Sequence, residues 1–263
     1  MMHARRVFRW FALFVAFGAC TAHASTSSSE ITEMWWNPGE TGWGVNVVLQ
    51  RDVAFLTFFV YDAMGNPVWY TSDAQLATTG LAVWTGKLYA TNGPWFGGPF
   101  AAGNVNVRRA GSVSFTLSAL DQAELTYTVD GITVTKNLQR QTWTNEDYSG
   151  GYLGGYSIAN TNCFPAHGNG IEEVAGLVAV AQNGSAISIT VSAALDTCTF
   201  GGAYSQTGKL GQVNGNYSCT SGVQGSFALV EMTPTISGFT GRIVGRNQSC
   251  DFAGALGGVR RAQ

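Results

Sequence analysis

Two-residue alternation is the feature that most limits what this chain can fold into. Over 112–120, Val113, Phe115 and Leu117 alternate with Ser112, Ser114, Thr116 and Ser118. Over 185–193, Ile187, Ile189 and Val191 alternate with Ser188, Thr190 and Ser192. A period of two sends successive side chains to opposite faces of a strand, whereas a helix needs apolar residues three and four apart. No helical pattern of useful length occurs. Turn chemistry separates the alternating runs: Asp62 to Pro67 with Gly65 between them, Asn183-Gly184, and Asp130-Gly131, the strongest hairpin signal in the chain. Thirty-four glycines and only 11% charged residues fit a β protein with many tight turns.

Strands are therefore expected over 42–50, 53–61, 68–72, 81–89, 112–120, 125–129 and 132–138. The nearly continuous apolar run 53–61 reads as a strand buried on both faces. A polar break at 144–147 separates a Trp-rich domain (30–144) from a second one (147–263). There, about eight short strands are expected, starting near Tyr148 and continuing over 174–181, 185–193, 198–205, 212–218, 226–232, 239–245 and 250–259. The predicted class is all-β: two antiparallel meander domains, barrel-like or sandwich-like.

Residues 1–24 read as an export signal. Arg5, Arg6 and Arg9 precede a short apolar run, and Ala22-His23-Ala24 supplies a small-x-small cleavage pattern before Ser25. A retained anchor and lipidation at Cys20 are the alternatives; the run is short for a span, and Leu is missing three positions before Cys20. Removing three of the 14 basic residues and none of the 16 acidic ones leaves 11 against 16, a formal net charge of −5. That balance argues against a nucleic-acid partner, which calls for a basic stripe. No later run is long and apolar enough for a transmembrane helix.

Cys163, Cys198, Cys219 and Cys250 remain after cleavage, an even count that in an exported chain reads as two disulfides in the second domain. Cys198 and Cys219 lie symmetrically about a turn near Gly208, so their pairing is expected, leaving Cys163 with Cys250. Each closure contributes about 3–5 kcal/mol on the chain-entropy model. A zinc site is the alternative, but the spacings are wide, no CxxC exists, and His167 is the one histidine after residue 24.

The block Trp35-Trp36-Asn37-Pro38-Gly39-Glu40-Thr41-Gly42-Trp43-Gly44-Val45-Asn46 resembles a WWNPxESGWGxN motif of exported proteobacterial proteins. The likeness continues through 54–61, the turn 62–67, the pair Trp69-Tyr70, Tyr127 to Gly131 and Arg140-Gln141. It departs at Thr41, where Ser is usual, and at Phe58, where Trp is common. The resemblance implies export and an all-β module, and supplies no reaction.

Catalytic constellations are sparse. A Ser/His/Asp triad would depend on His167, and no GxSxG elbow is present. Glu172 and Glu173 are neighbours in a strand and point to opposite faces, so they cannot share a substrate. Glu40 and Asp62 are the pair a carboxylate hydrolase would use. No P-loop, dinucleotide fingerprint or metal motif calls for a cofactor. What remains is the aromatic cluster. Its candidate ligand-binding residues are Trp35, Trp36, Glu40, Trp43, Asn46, Tyr61, Trp69, Tyr70 and Trp95. Trp36 and Trp43 read as structural, and Trp35, Trp69 and Trp95 as exposed. The expected function is a non-enzymatic exported module that binds a ligand or a cell-envelope surface, a glycan among the candidates, through exposed aromatics. A structural or adhesion spacer without a small ligand and a carboxylate-dependent hydrolase are the alternatives from other classes.

Overall fold

The computed structural model describes residues 30–77 and 82–261. The signal segment 1–24 and position 81 lie outside the described residues. Two closed eight-stranded antiparallel barrels follow one another in the chain. The first contains β1 (Glu33–Trp36), β2 (Gly44–Gln50), β3 (Val53–Tyr61), β4 (Pro67–Leu76), β5 (Val83–Asn92), β6 (Asn106–Ala119), β7 (Gln122–Val129) and β8 (Ile132–Arg140). Pairing of β1 with β8 closes it. The second contains β9 (Gly150–Thr161), β10 (Gly170–Asn183), β11 (Ala186–Ser192), β12 (Thr197–Thr207), β13 (Leu210–Cys219), β14 (Gln224–Thr235), β15 (Gly238–Asn247) and β16 (Asp251–Arg260), closed by β16 on β9. Closure removes exposed sheet edges, which suits chains built from short, glycine-punctuated strands.

Alternation sorts each strand into an inner and an outer row. Trp35, Trp84 and Phe115 fill the middle of the first barrel, with Phe115 edge-on to both indoles at 5.2 and 6.3 Å between ring centroids. Leu56, Leu88, Leu125 and Leu138 complete this core. In the second barrel, Tyr148 closes one end. It donates its hydroxyl proton to the Met232 carbonyl at 3.1 Å and packs edge-on against Phe239. The Asp130-Gly131 turn has positive φ at both residues, 48° and 86°, as expected for the hairpin turn that matches strand twist.

Both expected disulfides are present, Cys198–Cys219 and Cys163–Cys250. Cys198 and Cys219 are direct partners across β12 and β13, so pairing register alone brings them together. Such bonds persist in an oxidising compartment. Among the described residues, no helix is long and apolar enough to cross a membrane.

The run 53–61 departs from its expected burial. Ala54, Leu56 and Phe58 face inward, but Phe55, Phe59 and Tyr61 are exposed. A barrel is a single sheet curled on itself, so each strand has one buried face and one outer face. A second surprise is β1, a four-residue strand too short to show its period in the sequence.

The barrels meet beside a buried ion pair of the first barrel, whose Glu33 also reaches the second. Arg140, at the end of β8, donates to Glu33 Oε2 at 3.0 Å, to the Leu120 carbonyl at 2.6 Å and to the Glu30 carbonyl at 2.5 Å. Its guanidinium lies 4.6 Å from the Trp35 ring centroid. Glu33 Oε1 accepts the backbone N–H of Lys209 at 2.8 Å, and the Thr142 hydroxyl accepts that of Gly208 at 2.8 Å. Gly208 has φ of 59°, and a Cβ there would lie 2.7 Å from the Glu33 carboxylate; both facts favour glycine. Burial raises the Glu33 pKa, against the lowering effect of Arg140.

Candidate functional site

In an up-and-down meander, connections after β1, β3, β5 and β7 lie at one end of the barrel. Here that end carries residues 37–43, 62–66, 93–105 and 130–131. It is opposite the Glu33–Arg140 end, because Glu33 starts β1 and Arg140 ends β8. Most sequence-predicted residues gather there but divide into separate groups.

An outer strip forms the first group. Register places Trp36 opposite Gln139, and Phe59 opposite both Gly44 and Trp69. These residues make one row across β8, β1, β2, β3 and β4. Phe59, Tyr61 and Trp69 are 47%, 58% and 56% exposed, and Trp36 is half-buried. The next outward row is polar, with Asn46 opposite Thr57 and Thr57 opposite Thr71. Trp69 is held in place by its indole N–H, which donates to the Thr91 carbonyl at 3.2 Å. A groove of ≈360 Å³ runs between Gly42, Phe59, Tyr61, Pro67 and Trp69.

A plug at the barrel mouth forms the second group. Glu40 Oε1 accepts from Lys136 at 2.7 Å, and Glu40 Oε2 accepts the Trp43 indole N–H at 3.0 Å. The Lys136 ammonium lies 6.0 Å from the Trp43 ring centroid. Trp43 and Tyr70 pack on the core together with Tyr127, whose ring is edge-on to Phe58 at 5.7 Å. Burial raises the Tyr127 pKa.

Trp95 stands apart on the loop between β5 and β6, 73% exposed, with Phe96 beside it at 6.4 Å between centroids. Trp35 corrects its expectation: it is 0% exposed, and its indole N–H donates to the Ile31 carbonyl at 3.0 Å. Trp36 and Trp35 are neighbours in β1, so when one faces out the other must face in.

The two carboxylates proposed for hydrolysis have structural partners. The Lys136 hydrogen bond is the main cause of the lowered Glu40 pKa. The Asn66 side chain is the main cause of the lowered Asp62 pKa, and Asp62 also accepts the Met64 and Asn66 backbone N–H groups at 2.9 and 2.8 Å. A general acid at neutral pH needs the opposite shift. His167 sits exposed on a short 3-10 turn, Ala166–Gly168. No serine hydroxyl or carboxylate bonds to it among the described residues.

Glu172 and Glu173 diverge as expected. Glu172 takes the Tyr156 hydroxyl at 3.0 Å, and Glu173 takes the Ser157 hydroxyl at 3.4 Å. Asp196 lies against the Cys198 and Cys219 sulfurs, but these sulfurs are bonded to each other and offer no thiolate to a metal. Arg140 was visible in the sequence only as part of the motif-like Arg140-Gln141; its contacts arise from strand closure. No protein family matches the chain, and neither does any curated protein or solved structure.

Proposed function

We propose that this protein is an exported, non-enzymatic binding module. Its outer strip on the first barrel holds a glycan of the cell envelope. The observation that carries this reading is the side-by-side exposure of Phe59, Tyr61 and Trp69 on a rigid sheet. Contiguous exposed apolar surface on a folded domain marks an interaction site more often than scattered single residues do. A sugar ring presents an apolar C–H face that stacks on an aromatic ring, and its hydroxyls bond to amides and hydroxyls. Asn46, Thr57 and Thr71 supply such groups one row away. Trp69 is already immobilised by Thr91, so binding costs little of its rotamer freedom.

Export is supported by the disulfides, by the signal-like 1–24 segment and by the resemblance of the Trp35–Asn46 block to exported proteobacterial proteins. A thermal-shift panel of glycan fragments, peptidoglycan pieces, fatty acids and divalent metals tests the function. A ligand at 100 times its Kd adds about 2.7 kcal/mol to folded-state stability. The expected result is a shift with glycans alone, lost in a Tyr61→Ala, Trp69→Ala double variant. A glycan shift that survives in that variant excludes the strip as the site.

The spacer reading draws on a separate observation, the hydrogen bonds by which Glu33 and Thr142 of the first segment hold the Gly208–Lys209 turn of the second barrel. It predicts no shift with any member of the panel.

A further inference from the structure

The second barrel has a chamber of its own. Its connections after β9, β11, β13 and β15 lie at one end, and both disulfides brace that end. Beneath the rim is a cavity of ≈100 Å³ walled by the rings of Tyr156, Phe200, Tyr217 and Phe252. Phe200 and Tyr217 are stacked, with centroids 5.0 Å apart. Tyr156 stands edge-on to Phe200, and Phe252 edge-on to Tyr217. Two carboxylates, Glu172 and Asp196, share the rest of the lining with aliphatic side chains, Asn247 and the Cys219 sulfur, and the lining contains no Lys, Arg or His. The nearby Arg246 is engaged by Asp251 at 3.1 Å.

We propose that this chamber binds a small organic cation, a quaternary ammonium group, with the four rings around its methyl groups and Glu172 as its principal counter-ion.

Aromatic faces carry the negative side of a quadrupole and attract cations that are weakly hydrated. Two carboxylates beside an apolar, aromatic wall exclude anions and leave a neutral occupant without use for their charge. A primary ammonium would bring three donors that ring faces satisfy poorly; a quaternary ammonium brings none. Glu172 is positioned for the role. Tyr156 donates to Oε1 at 3.0 Å and Asn160 to Oε2 at 3.2 Å, which aims the carboxylate and leaves each oxygen further acceptor capacity. Asp196 is committed to the rim: it accepts from the Ser221 and Thr220 hydroxyls, both at 2.5 Å, and keeps its negative charge there.

The test uses the disulfide-intact protein titrated with choline and, separately, with 3,3-dimethylbutan-1-ol, its uncharged isostere, following the Tyr156 and Tyr217 ring signals by NMR. Choline should bind saturably and the isostere about tenfold or more weaker, which corresponds to about 1.4 kcal/mol. Glu172→Gln, a surface change whose fold is checked by its melting curve, should also weaken choline about tenfold. Phosphatidylcholine vesicles added in a separate arm distinguish a lipid head group, which co-sediments the protein, from a free solute, which does not. Equal binding of choline and the isostere, or no saturable choline binding, overturns the proposal without relying on any variant.

Discussion

Trp35 and Trp36 are adjacent and have opposite roles. Trp35 is wholly buried against Phe115 and Arg140, while Trp36 joins the outer strip. Trp35→Ala should therefore cost about 3–5 kcal/mol through the cavity it leaves, whereas the exposed Trp69→Ala should stay within about 0.5 kcal/mol. Urea denaturation checks both, and equal losses would contradict the assignment. Arg140→Ala should also cost about 3–5 kcal/mol, because Glu33 would be left buried and unpaired. Asp196 sets a pH limit on the second barrel's rim. Hydrogen bonds from Ser221 and Thr220 lower its pKa from the ordinary 3.8 to about 2. A depressed folded-state pKa gives stability that is fully present above the unfolded value and is lost as pH falls through the folded one. The rim should thus loosen between about pH 4 and pH 2, read from the Ser221 and Thr197 amide signals. Titration of Asp196 at the ordinary carboxylate value would count against this.

Individual strands are legible where residues alternate, as in β11, or where an apolar run lies between turns, as in β3. The strand β3 was read at its full extent over 53–61, and Cys198 faces Cys219 because both lie symmetrically about the Gly208 turn. The facing of its side chains was not legible. A run such as VAFLTFFVY is apolar on both sides, so its period is hidden, and only barrel closure shows that Phe55, Phe59 and Tyr61 point outward. The same blindness affected Trp35, whose four-residue strand has too few positions to reveal a phase. The candidate site was partly legible for a related reason. Trp36, Asn46, Tyr61 and Trp69 share the outer face, but Glu40, Trp43 and Tyr70 belong to the mouth plug, a division made by long-range contacts such as Lys136 to Glu40. The disulfides brace elements of the second barrel alone. Reduction should cost that barrel about 2–5 kcal/mol per bond and leave the first unchanged, seen as faster amide exchange confined to 150–260. Loss of protection in both barrels would mean that their stabilities are not separable.

At the scale of the whole molecule, the two barrels present different chemistry at the ends away from their junction. The first carries turns rich in aromatics, with the strip on the adjoining outer wall, and the second a ring-lined chamber with two carboxylates. The junction between them rests on Glu33, Arg140 and the Gly208 turn. The reading of the first barrel as a glycan-binding module is tested most directly by the indole N–H signals of Trp36 and Trp69 in an NMR titration with soluble peptidoglycan fragments and β-linked oligosaccharides. The account predicts saturable movement of the Trp36 and Trp69 signals with those of Trp35 and Trp84 fixed. Saturable binding that leaves Trp36 and Trp69 unmoved, or no binding of any glycan, would contradict it.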